Sequence, residues 1–325
     1  MMHVNILRIL LAIAAPLVLA FAGASPAAAQ SCSFGVNNVA FGSVDTLSGA
    51  AADTTATVSI TCGGSLFGTR ARLCLNINAG TGGSSGGTRL MRNSLNQPLA
   101  FQLYQDAARS VSWGSVEQSQ FGQPVAVDLT LPFLFGSVST TRTIYGRVLP
   151  NQQGAATGSY SSLFSGSQVR FNYAFYGTTP PACTAVTGNT VRPSFTASAT
   201  VSANCLVSAQ DIDFGTTGAL TSAVDSTGNI AARCTPGTPF SIGLNGGLAN
   251  GTPTQRLMTL GSSSIQYGLY RNSARTQAWG DNVNNRATGL GTGLQQNVTV
   301  YGRVPPQATP PPGTYSDTVV ATIRY

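Results

Sequence analysis

The sequence predicts an all-β protein made of two tandem, incomplete immunoglobulin-like β-sandwiches. Three observations lead there. Of 325 residues only 8% are charged, while 37 are Gly and 17 are Pro, a composition poor in helix formers and rich in turn residues. One order of motifs runs along the chain twice. No long stretch carries a helical stripe, and the apolar segments are short runs of strand length.

The first 29 residues read as an export signal. His3 and Arg8 mark a short basic start, an apolar run extends to Ala22, and Pro26-Ala-Ala-Ala29-Gln30 offers a small-residue cleavage site. Cleavage after Ala29 leaves room for two domains of about 150 residues. No later stretch reaches about 18 uninterrupted apolar residues, so the expectation is a chain soluble, or assembled, outside the inner membrane. Six cysteines in an exported protein are expected to be oxidised.

All 17 basic residues are Arg, and they are scattered singly, which is no nucleic-acid footprint. The formal charge of +7 falls to +6 when Arg8 leaves with the signal. The only His, His3, lies in the signal, so no Ser-His-Asp or Cys-His arrangement can form in the mature chain. The acidic residues are Glu117 and scattered Asp, and nothing marks a paired-carboxylate site. There is no Cys-x-x-Cys motif, and the loop Gly80–Gly87 lacks the Lys and the helix of a phosphate cradle. No catalytic residue, cofactor or metal ligand is expected.

The repeat fixes the element order. Cys32-Ser-Phe, Ala40-Phe-Gly42, Cys62 and Leu73-Cys-Leu-Asn-Ile-Asn78 recur as Cys205-Leu-Val, Asp213-Phe-Gly215, Cys234 and Phe240-Ser-Ile-Gly-Leu-Asn245. Arg89-Leu-Met91 recurs as Arg256-Leu-Met258, and the stretch Leu99–Arg109 before Trp113-Gly114 recurs as Ile265–Arg275 before Trp279-Gly280. Thr143-Ile-Tyr-Gly-Arg-Val148 and Gly158-Ser-Tyr160 return as Thr299-Val-Tyr-Gly-Arg-Val304 and Gly313-Thr-Tyr315. Strands are expected in the first copy over 57–62, 72–78, 99–106, 125–131, 141–148 and 169–176. Trp113 and Trp279 recur together, which marks scaffold rather than a sugar-stacking platform.

Between the copies lies an alternating segment, Val191–Cys205, with Val191, Phe195, Ala197, Ala199 and Val201 on one face. Pro193 belongs near the start of such a strand, or on an edge. This segment either begins the second domain or is lent backwards to complete the first. The second copy ends in the strand-like run Asp317–Tyr325 with no counterpart of that segment after it. An acceptor edge is therefore expected at Val319, Ala321, Ile323 and Tyr325. The expected organisation is a signal over 1–29, a first domain over 30–180, a connector and donor strand over 181–204, and a second domain over 205–325.

The Cys-x-Val-Ser opening, the Phe-Gly pair, the turn before Trp-Gly, Val-Tyr-Gly-Arg-Val-Pro and Gly-Thr-Tyr-Ser-Asp-Thr-Val resemble the spore coat protein U domain. That is the pilin domain of archaic chaperone–usher pili, and the resemblance covers essentially the whole mature chain, twice. It implies sandwiches of the pilin type that lack their last strand. A periplasmic chaperone would lend that strand, and a neighbouring pilin subunit would replace it at an outer-membrane usher. Cys32 follows the expected cleavage site closely, which leaves little to donate and points to a two-domain tip adhesin on a surface pilus, active in attachment to an abiotic or host surface and in biofilm formation. A structural coat or shaft pilin, and a carbohydrate-binding secreted module, are the alternatives.

Six cysteines allow fifteen pairings. Equivalent placement favours Cys32 with Cys62 and Cys205 with Cys234, which leaves Cys74 for Cys183. Adhesive contacts are expected in loops unique to the first copy: Leu66 and Phe67, and Phe133, Leu134 and Phe135. The competing reading of Leu131–Phe135 is the continuation of a core strand.

Overall fold

A computed structural model describes residues 30–325 except 65 and 67, so the export signal and Phe67 lie outside the described residues. The first sandwich is built from β1 (Cys32–Val36), β2 (Val39–Val44), β3 (Ala52–Gly63), β4 (Thr69–Ile77), β5 (Ser84–Ser85), β6 (Thr88–Arg92), β7 (Pro98–Tyr104), β8 (Val125–Leu131), β9 (Ser137–Val148), β10 (Gly158–Phe164), β11 (Val169–Tyr176) and β12 (Phe195–Val201). One sheet runs β1-β3-β9-β7-β6-β10-β12-β2, with β5 on β6; the other runs β11-β4-β8. The second sandwich comprises β13 (Cys205–Ala209), β14 (Val224–Cys234), β15 (Pro239–Leu244), β16 (Arg256–Leu260), β17 (Ser263–Tyr270), β18 (Ala287–Leu290), β19 (Gln296–Val304) and β20 (Ala321–Arg324). Its sheets run β13-β14-β19-β17-β16 and β18-β15-β20.

Alternation makes these strands. β3 buries Ala56, Val58, Ile60 and Cys62 and turns Thr55, Ser59 and Thr61 outward, so one face of the β3–β9 pair is core and the other is a hydroxyl-rich surface. Each copy has its own core. One gathers Phe101, Phe164, Phe171 and Phe195; the other gathers Ile242, Leu269, Trp279 and Val300. The same turn closes both hairpins before tryptophan. Asp106 accepts from the amides of Ser110 and Val111, Asn272 accepts from those of Thr276 and Gln277, and Arg109 and Arg275 both sit at φ 56°. The amides of Val111 and Ser110 hold the Asp106 carboxyl below its ordinary range.

The Arg of each Arg-Leu-Met repeat is a core residue. Arg89 and Arg256 are both fully buried. Arg89 donates to the carbonyls of Asn78 at 2.7 Å, Ile77 at 2.6 Å and Trp113 at 2.8 Å, and to the Gln102 side chain. Arg256 donates to Asn245 at 2.8 Å, Pro253 at 2.6 Å, Leu244 at 3.3 Å and Trp279 at 2.8 Å. Trp113 and Trp279 return the favour to the same strands through their indole N–H, at Leu75 and Ile242. Each Arg thus satisfies carbonyls at the end of β4 or β15 that no neighbouring strand reaches. Burial pushes the Arg89 guanidinium down to about 9, which leaves it charged at neutral pH.

Arg89→Ala is expected to strand those carbonyls in the core and to destabilise the first sandwich by about 3 kcal/mol. Arg89→Met, which restores bulk but no donors, is expected to be nearly as damaging. Urea unfolding followed by tryptophan fluorescence checks both; a Met variant as stable as the parent would remove the hydrogen-bonding role.

Candidate functional site

The sequence-predicted residues gather at two places: a groove between strands, present once in each sandwich, and a pair of loops at one end of the first. In the first sandwich the groove is full. β12 pairs antiparallel with β10 from Gly158↔Val201 to Phe164↔Phe195, and parallel with β2 from Ala197↔Val39 to Val201↔Val44. Phe195, Ala197, Ala199 and Val201 are all buried. The Phe195 ring stacks on Phe164 with centroids 4.5 Å apart, and Phe101 meets Phe164 edge-on. The two alanines, Ala197 and Ala199, lie opposite Ser162 and Tyr160.

Val191 is placed differently from the rest of its predicted set. It is half-buried and forms an isolated bridge with Phe171 of β11, in the other sheet. The segment is therefore not one strand from 191 to 201. Pro193 interrupts it, and the chain crosses from one sheet to the other just as β10 and β11 do. The disulfide Cys74–Cys183 ties β4 to the loop that leads into this segment. Cys32–Cys62 and Cys205–Cys234 join directly opposite residues of β1–β3 and β13–β14.

The second sandwich has the same groove without a strand in it. Two adjoining cavities of about 580 and 400 Å³ share Ile212, Phe214, Met258 and Tyr315. One wall is the stretch 212–218, the counterpart of β2; the other is 313–319, the counterpart of β10. Neither stretch is a strand, although Ser316 still bridges Thr259 as Ser161 pairs with Arg92 in the first copy. On the floor, Tyr267 donates to Asp317 at 2.6 Å, and the amide of Leu248 donates to the same carboxylate at 2.8 Å. Burial, and then the hydrogen bond to Asp317, push the Tyr267 hydroxyl up.

Of the residues expected at the acceptor edge, Val319 and Ala321 line this groove. Ala321 and Ile323 pair with Leu244 and Ile242 on one side of β20, and among the described residues the other side of β20 carries no strand. Ile323 occupies the position of Phe171, whose free edge in the first copy is met by Val191. Tyr325 does not line the groove. It is exposed, and its hydroxyl donates to Asn204 at 3.4 Å, in the connection between the sandwiches. The open edge thus begins earlier than the terminal run suggests, at Gly313–Asp317. The repeat of Gly158-Ser-Tyr160 as Gly313-Thr-Tyr315 carried that signal.

The second place is apolar and exposed. β8 ends at buried Leu131, and after Pro132 the chain turns out, leaving Phe133 70%, Leu134 76% and Phe135 52% exposed. The continuation of a core strand through Phe135 is therefore excluded. Leu134 and Phe135 hold φ of 55° and 59°, a left-handed conformation that bulky residues seldom adopt. The neighbouring loop presents Leu66, 46% exposed, and lies against this turn through the Gly64 amide, which donates to Gly136 at 2.6 Å.

Comparison with known proteins gives the fold a family. The model of the Spore Coat Protein U domain matches residues 19–166 and again 192–322. A curated relative, Protein U of Myxococcus xanthus, is 39% identical over 106 residues, 30% of this chain and 59% of the relative's length. The chain resembles a structure from the chaperone–tip adhesion subunit pre-assembly complex of the archaic chaperone-usher Csu pili of Acinetobacter baumannii, with a TM-score of 0.51 and 18% identity over 91% of this chain and 100% of that one. The CupB6 tip adhesin of Pseudomonas aeruginosa also overlaps, at a TM-score of 0.36 and 10% identity over 91% and 95% of the two chains, too loosely to carry an inference. The two-sandwich architecture is a pilin-like fold.

Phe195→Ala is expected to cost the first sandwich about 3–5 kcal/mol, because the stack on Phe164 becomes a cavity. Limited proteolysis read by mass spectrometry checks it: new cleavages should fall in 186–203 and leave the second sandwich unchanged.

Proposed function

The chain belongs to the Spore Coat Protein U family, and on that premise we propose that it is a non-enzymatic subunit of a chaperone–usher pilus, positioned at the fibre tip, with the first sandwich as adhesin and the second as the joint to the fibre. One observation carries this reading. The same groove is filled by the chain's own β12 in the first sandwich and is open in the second.

An open groove in a sandwich is a row of unpaired backbone groups above an incomplete core. A strand laid into it satisfies both, through main-chain hydrogen bonds and alternate side-chain pockets. A periplasmic chaperone would fill the groove in transit, and the N-terminal extension of a neighbouring pilin subunit would replace it at the outer-membrane usher. Since the first groove is already occupied, the molecule accepts a partner strand at the second sandwich only. Its first strand, β1, is paired with β3 and tied to it by Cys32–Cys62, so it is not free to be lent onward, and a subunit that accepts without donating terminates a fibre. Export to the periplasm and then to the cell surface goes with that role.

The exposed set Leu66, Phe133, Leu134 and Phe135 is the surface on which attachment and biofilm formation would depend. Apolar side chains held out on short turns at one end of a secreted domain favour contact with a hydrophobic surface.

A purified shaft-subunit extension peptide is expected to bind this chain with one-to-one stoichiometry at the second sandwich, measured by crosslinking and mass spectrometry. Labelling of the first sandwich instead, or no binding, would overturn the assignment. Phe133→Ser with Phe135→Ser should leave secretion and melting temperature unchanged while lowering retention of pili on polystyrene; unchanged retention would remove these loops from adhesion.

A further inference from the structure

The two grooves differ in charge, and the difference identifies the chemistry of the strand the open one takes. Of the ten carboxylate residues, Asp53, Glu117, Asp128, Asp225 and Asp281 each face an arginine. Among the described residues Asp45, Asp106, Asp211, Asp213 and Asp317 form no ion pair. Three of those five line the open groove, and no arginine lines it. In a chain with 17 arginines, this is an acidic site on a basic protein.

The filled groove supplies the control. By the repeat, Asp211, Asp213 and Asp317 take the places of Asn38, Ala40 and Ser162. Those three residues are neutral, and the strand that lies against them is neutral too. The Thr196 amide donates to Asn38 at 2.8 Å, and Ser198 sits beside Ala40 in the parallel pairing with β2. A strand in the second groove with the same register would bring its Thr196-like and Ser198-like positions beside Asp211 and Asp213. Both carboxylates are exposed at the groove's edge, where cross-strand ion pairs form. Asp317 faces inward, opposite the position of Ala197. Its partners there are Tyr267 and the amides of Leu248 and Thr318.

We infer that the strand accepted by the second sandwich is cationic, with Lys or Arg on its outward face beside Asp211 and Asp213, and that this charge separates it from the neutral strand Phe195–Val201 that completes the first sandwich. The inference rests on the strand-accepting reading above and adds the partner's chemistry to it. Exposed pairs of this kind act on partner choice and encounter rate more than on affinity. They keep the chain's own Phe195–Val201 sequence, with Thr196 and Ser198 in these positions, from being the preferred occupant of a second molecule's groove.

The test appends residues 174–203 of the chain, with Cys183→Ser, after Tyr325 of the full-length protein; Tyr325 takes the place of Tyr173, so the native loop length carries the copy into the groove. A second version carries Thr196→Lys and Ser198→Lys in the appended copy alone. Both are expected to raise the melting temperature of the second sandwich, with the first as internal reference. The lysine version should melt about 3 °C above the unsubstituted one in low salt. That gap should close in about 1 M sodium chloride, where the screening length is about 3 Å, and in Asp211→Asn with Asp213→Asn. Equal melting of the two versions in low salt would overturn the inference and leave the strand-accepting reading intact. Protection by neither version would overturn that reading as well.

Discussion

Between Gly158–Phe164 and Val39–Val44 runs Phe195–Val201, hydrogen-bonded to both, and the order of the first sandwich follows from that insertion. Its backbone satisfies two edges at once, and four side chains close the core beneath. Neither edge has another strand to turn to among the described residues. A backbone edge left without such a partner must find its hydrogen bonds in water.

The duplicated plan shows what the insertion does. Val39–Val44 is a strand, and its pairing partner is β12. Ile212–Thr217, built on the same Phe-Gly pattern, is not a strand. Gly158–Phe164 is a strand too, whereas Gly313–Val319 keeps only the bridge at Ser316. Sequences this similar take different backbone states because strand structure belongs to the pair and not to the segment. What the second sandwich retains without a partner is its floor, clasped by Tyr267 and Asp317 where the first copy has Phe101 and Ser162.

A second constraint lies deeper. Both sandwiches bury a whole guanidinium against carbonyls, with no carboxylate among the described residues at its nitrogens. A hydrocarbon there would leave strand-end carbonyls dry and unpaired, and a shorter cation would lack the fork that reaches them. The arrangement anchors the tryptophan turn to the end of β4 or β15. It also keeps the two sandwiches alike in their frame while their grooves and loops diverge.

The repeated motifs, the poverty in charge and the alternation of 195–201 determined the fold class, the duplication and the inward set Phe195, Ala197, Ala199 and Val201, because period-two patterning and cysteine placement are local. The roles of Arg89 and Arg256 were not legible, since a single Arg in an Arg-Leu-Met run looks like any surface cation until the turn around Trp113 or Trp279 closes over it. The exposure of Phe133–Phe135 could not be separated from a core strand by hydrophobicity alone; the turn after Pro132 decided it. Tertiary structure likewise decided that Val191 joins the other sheet, that Tyr325 reaches Asn204, and that Asp211, Asp213 and Asp317 share one groove. Each of those depends on which distant backbone lies alongside, and pairing across the chain leaves no mark in the spacing of neighbours.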